Sequence, residues 1–285
     1  MSNVTAVSTS SALGLLSPKS RLCIERLESH RVEQVNLSNQ SRLAAVLILL
    51  YEKAGELNVL LTTRSKSLRA HPGETALPGG KVDENDANAI ETAYREANEE
   101  VGLPRDCADI RTVCILRPFL SNRKVVVRPV VALLTNLNVL DQLKANEDEV
   151  ERIFDHPLEA LLDPGIMLKE NLAEKGSADW PYAEDLHNTD DRILAFLGNI
   201  SYRMHRFRST ASPVKGLTAE ILMSAAEIAY ERHTQFERYA PGQIVDFGGV
   251  LRVLEAVESK PEAAVAASGT STPIGVVSSV EHPGA

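Results

Sequence analysis

Residues 42–51 read Arg-Leu-Ala-Ala-Val-Leu-Ile-Leu-Leu-Tyr, an apolar run of strand length, and predict a buried strand. Ala54-Gly55-Glu56 supplies a turn and residues 58–63 a return strand, so the segment reads as a hairpin. Upstream, Leu22, Cys23, Ile24 and Leu27 fall near helical spacing and predict a short amphipathic helix over 18–31. Downstream, residues 79–103 form a glycine-rich turn feeding a helix. Asp86 is its expected cap, Gly102 its left-handed closing residue, and Pro104 forbids continuation. Residues 111–116 and 125–134, rich in β-branched and aliphatic side chains, predict central strands. Residues 202–208 alternate like a strand. Residues 217–230 carry apolar positions at helical spacing and are expected to pack on the sheet, and 247–257 predicts another short helix.

The helix after Gly79 carries the chemistry. Glu96 and Glu100 lie one turn apart on one face with Glu99 beside them, three carboxylates that repel one another. Such a cluster is either solvated decoration or a site for a hard divalent cation with oxygen ligands, Mg²⁺ or Mn²⁺.

Composition narrows the partners. The chain has 285 residues, 44% of them hydrophobic, enough for a full core. A net charge of −9 argues against nonspecific binding to nucleic acid or an anionic membrane. The longest apolar run, 43–51, is too short to cross a bilayer, so no membrane span is expected. Cys23, Cys107 and Cys114 are odd in number and lack metal spacing, and read as reduced thiols of an intracellular protein.

The segment Arg95-Glu96-Ala97-Asn98-Glu99-Glu100-Val101-Gly102-Leu103 resembles the second half of the Nudix box, R-E-U-x-E-E-x-G-U, with Ala97 as the aliphatic U. Counted from Gly80, the glutamate of the first half falls on Asp86, one residue further from Arg95 than the box prescribes. Residues 60–80 resemble the signature of the coenzyme A diphosphatase branch of that family: Leu60, Leu61, Thr62, Arg64, Ser65, Arg69, Gly73, Pro78, Gly79 and Gly80 are in register. Leu77 replaces the usual Phe. Residues 146–164 and 217–222 resemble later segments of the same branch, with Lys215 where a tryptophan is frequent.

The resemblance implies an α/β (α+β) architecture, the Nudix fold, with a mixed β-sheet sandwiched between helices. It implies hydrolysis of the diphosphate of coenzyme A, acyl-CoA or related diphosphates as small-molecule substrates. Its metal ligands would be Glu96, Glu99 and Glu100. Its catalytic set would be Glu99, Glu149 and Arg95, with Arg95 orienting carboxylates and Glu151 rivalling Glu149 as the further acid. Its substrate-binding set would be Arg64, Arg69, Gly79 and Gly80. Arg64, Lys66 and Arg69 place cations just upstream of the acidic helix, where arginine forks suit phosphate oxygens. Arg117, Arg123, Lys124 and Arg128 are either a second phosphate contact or solvated loop charges, and His205 either a phosphate contact or an ordinary strand histidine. Two other readings stay open: a Nudix enzyme for another nucleoside diphosphate derivative such as ADP-ribose, a dinucleotide or an oxidised nucleotide, and a non-catalytic Nudix module. The resemblance suggests a peroxisome or mitochondrion, with the cytoplasm also open, and says nothing of oligomeric state.

The expected organisation is a disordered tail at 1–17, a hydrolase domain at 18–235, a helical extension at 236–258 and a disordered tail at 259–285. Within the domain an irregular insertion near 165–191, around Trp180, Pro181 and Tyr182, is expected to overhang the site.

Overall fold

The computed structural model describes residues 13–32, 35, 37 and 42–259. The expected tails fall outside the described residues except for 13–17 and Ser259. At that first boundary Leu16 is buried and Ser17 is tied to the sheet: its Oγ donates to Glu52 Oε2 at 2.6 Å. Ser17 also caps helix α1 (Pro18–Ser29), accepting from the Ser20 amide at 3.3 Å.

Strands β1 (Leu43–Lys53) and β2 (Glu56–Arg64) make the expected hairpin. Ala54 and Gly55 take φ of 53° and 79°, the left-handed pair that lets two residues reverse a strand, so pairing continues to Lys53 and Glu56. Beyond Leu50 and Val59 the two strands part. The gap is filled by β3 (Thr75–Ala76), which pairs with β2, and by β4 (Gly79–Lys81), which pairs with β1. On its other edge β1 runs parallel to β7 (Val126–Leu134), which pairs antiparallel with β5 (Ile110–Ile115) and β6 (Phe119–Leu120). β8 (Val150–Pro157) extends the sheet antiparallel to β2.

Both faces of this mixed sheet are covered. Leu47, Leu49, Val130 and Ala132 meet Ala93, Ala97 and Val101 of helix α2 (Ala89–Val101). Ile48, Leu50, Val131 and Leu133 belong to the opposite core, with Ile24 and Leu27 of α1 and Leu222, Ala226 and Ala229 of helix α3 (Gly216–Tyr230). The architecture is therefore α/β (α+β), a mixed sheet between helices, as the sequence predicts. Ala97 is fully buried at that seam, so the small residue at the aliphatic box position lets α2 lie close to the sheet; added bulk there costs about 1–3 kcal/mol by overpacking.

A second, three-stranded antiparallel sheet comprises β9 (His187–Leu194), β10 (Ile200–Phe207) and β11 (Val214–Lys215). The expected insertion opens with a 3-10 helix (Pro164–Lys169) and from His187 onward is strand. Its polar sequence belongs to an edge strand largely open to solvent, which sequence pattern alone does not separate from a loop. The preceding loop is folded around the fully buried Trp180, whose Nε1 donates to the Glu184 carbonyl at 2.7 Å. Helix α4 (Phe247–Glu258), capped by Asp246, closes the described chain. Among the described residues no helix is long and apolar enough to cross a membrane. Burial pushes the Cys23 and Cys114 thiols up to about 11 and about 12, so neither is a thiolate at neutral pH.

Candidate active site

The backbone beneath α2 determines where its acids sit. Gly79 lies against β1 so closely that a Cβ there would strike the Ala45 carbonyl, and a Cβ on Gly80 would strike the Glu96 carboxylate. The two glycines are therefore a backbone platform on which Glu96 and Glu100 rest. The Gly79 amide donates to Glu100 Oε2 at 3.3 Å.

Arg95 organises the other side of the cluster. Its Nε and Nη2 form a fork on Asp86, at 3.0 Å and 2.9 Å, Nη2 also donates to the Lys81 carbonyl at 3.0 Å, and Nη1 donates to Glu96 Oε1 at 2.9 Å and Glu99 Oε2 at 3.1 Å. The hydrogen bonds from Arg95 hold the Asp86 carboxyl well below the usual carboxylate range. This corrects one expectation: Asp86 does not cap α2. Asn88 does, its Oδ1 accepting from the Ile90 and Glu91 amides at 2.9 Å and 3.2 Å, because Asp86 is already engaged by Arg95. Gly102 closes the helix at φ 70°, as expected.

Glu100 is 3% exposed. Burial pushes its carboxyl up to about 8; Arg64 and the Gly79 amide oppose the rise, and Glu96 and Glu149 add to it. Glu96 is raised for the same leading reason, with Arg95 opposing. Glu149 is held near both by the main chain. The Lys144 and Asn146 amides donate to the Val101 and Glu100 carbonyls at 3.0 Å and 2.9 Å, hanging this segment on the C-terminus of α2, and the Ser65 amide donates to the Glu149 carbonyl at 2.8 Å. Its rival Glu151 is instead paired with Lys66 at 3.0 Å.

Among the described residues no three His, Cys, Asp or Glu side chains form a ready-made metal nest, and Glu99 is 53% exposed and turned to Arg95. The donor chemistry still fits a hard divalent cation: all the acids offer carboxylate oxygens, and among the described residues buried Glu100 faces one ion-pair partner, Arg64 at 3.9 Å. A carboxylate buried with so little compensation is stabilised in its charged form by a cation.

Arg64 also opens onto a cavity of ≈560 Å³ that contains none of the box glutamates. Its walls include Arg117, Tyr182, Arg206, Lys215 and Tyr239. Tyr182 of the insertion thus lines the same cavity as Arg64. Arg69, by contrast, sits exposed on the loop between β2 and β3, apart from Glu96 and Glu100 and without an acidic partner among the described residues. The second basic cluster does not converge. Arg117 faces the cavity over the Phe119 ring at 4.2 Å, Lys124 pairs with Glu258 at 2.8 Å, and the Arg123 carbonyl accepts from Arg42 at 3.0 Å. His205 is a buried strand histidine that bonds His187 at 3.0 Å and the Arg238 carbonyl at 2.8 Å. Tyr202, Arg206 and Tyr239 were not foreseen at the cavity; the alternation of Ile200, Tyr202, Met204 and Arg206 was the signal that could have found the first two.

A family model for the NUDIX domain matches residues 41–176. The mitochondrial Nudix hydrolase 15 of Arabidopsis thaliana is 38% identical over 199 residues, covering 70% of this chain and 62% of that protein. The peroxisomal coenzyme A diphosphatase NUDT7 of Mus musculus is 36% identical over 132 residues, covering 46% of this chain and 54% of that protein. An uncharacterized Nudix hydrolase NudL of Cronobacter sakazakii is 37% identical over 143 residues, covering 50% of this chain and 71% of that protein. The chain thus spans less than two thirds of the first two relatives.

Proposed function

Because the chain belongs to the Nudix family, we propose that it hydrolyses the diphosphate of coenzyme A and its derivatives, giving 3′,5′-ADP and 4′-phosphopantetheine or its acyl form. The observation that carries this reading is the position of Arg64. It belongs to the in-register 60–80 segment, stands 3.9 Å from buried Glu100, and lines the adjoining cavity. A diphosphate laid along Arg64 has the acidic helix on one side and room for the rest of the ligand on the other.

Nudix hydrolases generally use divalent metal ions, and Glu96, Glu99 and Glu100 would hold Mg²⁺ or Mn²⁺ here. A cation held by these residues would neutralise charge on the phosphoryl oxygens and lower the pKa of an attacking water. Arg95 orients Glu96 and Glu99 through Nη1. Glu149 is the acid we assign to receiving the proton of the water as its oxygen bonds to phosphorus and the anhydride P–O bond breaks, with Glu99 assisting. Arg64 binds diphosphate oxygens, while Gly79 and Gly80 let the backbone approach them. Arg69, exposed on the β2–β3 loop, is the second arginine we assign to the diphosphate. The relatives' names give mitochondrial and peroxisomal addresses, and we place this activity inside the cell without assigning an organelle.

Product analysis across coenzyme A, ADP-ribose and NADH with Mg²⁺ or Mn²⁺ tests the assignment. Coenzyme A turnover exceeding the others supports it; ADP-ribose turnover far above that of coenzyme A overturns it in favour of another Nudix substrate.

A further inference from the structure

The ≈560 Å³ cavity is built mainly from elements outside the matched family region: the second sheet and the segment running into α4. In the β9–β10 ladder Arg206 lies opposite Asn188, Tyr202 opposite Arg192, and Ile200 opposite Leu194. Alternate residues of a strand share a face, so these pairs form one surface, and Arg192, Leu194, Ile200, Tyr202, Met204 and Arg206 all line the cavity.

That surface is graded. At one end Arg206 is opposite Lys215 of β11, and the Lys215 ammonium is 3.1 Å from Glu74, whose carbonyl accepts from the Arg64 amide at 2.9 Å; this is the end nearest Arg64. At the other end Ile200 and Leu194 adjoin Phe196 and Leu197, and helix α4 covers them with Val250. The cations along this surface are largely committed within the protein: Arg206 to Asn188 at 2.7 Å, Lys215 to Glu74 at 3.1 Å and, midway, Arg192 to Asp190 at 2.8 Å. Leu194, Phe196, Leu197, Ile200 and Val250 give the other end an apolar lining. The volume is that of a small-molecule pocket.

We propose that this cavity receives the apolar arm of the substrate, the acyl end of an acyl-thioester diphosphate, and that Leu194, Ile200 and Val250 determine chain-length preference. The inference rests on the diphosphatase reading for the position of the charged end, which Arg64 anchors where the cavity meets the acidic helix. From there an arm extends past Tyr202 and Met204 to the aliphatic end. Burying one methylene is worth about fourfold in affinity, so two or more buried methylenes give over tenfold.

The test separates binding from turnover. Calorimetric binding of acetyl-, hexanoyl- and decanoyl-CoA to the full chain in EDTA is compared with hydrolysis of the same three in Mg²⁺ or Mn²⁺. Decanoyl-CoA is expected to bind at least tenfold tighter than acetyl-CoA. Ile200→Asp and, independently, Val250→Asp are expected to erase that difference, with circular dichroism and thermal melting confirming that each variant is folded. Chain-length-independent binding by the wild type overturns the proposal, including the case in which the nucleoside end fills the cavity. Chain-length-dependent binding without hydrolysis of any of the three overturns the diphosphatase reading and supports the cavity assignment.

Discussion

Arg64 Nη1 stands 3.9 Å from Glu100 Oε1, an ion pair too long for a hydrogen bond, and the same guanidinium lines the large cavity. The pair is loose because Glu100 is held from the other side by the Gly79 amide. Arg64 therefore keeps donors free for an arriving anion while still opposing the charge of a buried acid.

Arg64→Ala is expected to raise KM for coenzyme A about tenfold to a hundredfold, the loss of charge-assisted hydrogen bonds to phosphate. Arg64→Lys restores part of it, since a point charge replaces the fork. Steady-state kinetics at saturating metal checks both.

Gly80→Ala tests the platform. The new Cβ meets the far end of the Glu96 side chain, which can swing away, so the fold survives while the carboxylate is displaced. The expected result is about a hundredfold loss in kcat/KM with unfolding free energy within about 1 kcal/mol of wild type, read by assay and urea denaturation.

Glu100 links metal to pH. In the metal-free protein its carboxyl is raised from 4.5 to about 8. Between those values the unfolded chain has lost a proton that the folded chain keeps, so metal-free stability falls as pH rises from about 4.5 to about 8, by at most ~1.4 kcal/mol per pH unit. Glu100→Gln is expected to flatten this slope in pH-dependent urea melts. Metal binding at pH 7 is expected to release protons, visible as a buffer dependence of the calorimetric heat.

His156 gives an opposite slope. It is fully buried, neither ring nitrogen has a partner among the described residues, and burial lowers its pKa from 6.5 to about 4. Below pH 6.5 the unfolded chain takes a proton that the folded one refuses, so stability drops as pH falls from 6.5 to about 4. His156→Leu removes two unpaired polar atoms and is expected to match or exceed wild-type stability at pH 7 and to lack the acid slope, as thermal melts across that range will show.

The sequence revealed the hairpin, the acidic helix and its Gly102 stop because period, turn residues and spacing are local signals. Asp86 was misassigned as the cap because capping residues and ion-pair acids are the same residue types; the Arg95 fork that claims it comes from a full turn of helix and more away. The second sheet is half hidden in the sequence because the aliphatic residues of β9, Ile193 and Leu194, lie only at its C-terminal end and the rest of the strand is polar edge. The convergence of Arg64, Tyr202 and Val250 on one cavity depends on tertiary contacts that no window of sequence contains. The dispersal of Arg117 and Lys124 has the same origin: they pair with Glu220 and Glu258, acids more than a hundred residues further along the chain.

The most direct measurement is uptake of Mn²⁺ by the metal-free full chain, followed by electron paramagnetic resonance with and without coenzyme A, in wild type and in a Glu96→Gln, Glu100→Gln variant shown by circular dichroism to be folded. Saturable binding by the wild type that the double variant loses is the predicted result. No uptake even with coenzyme A present, or equal uptake by both proteins, would contradict a cation site on this helix.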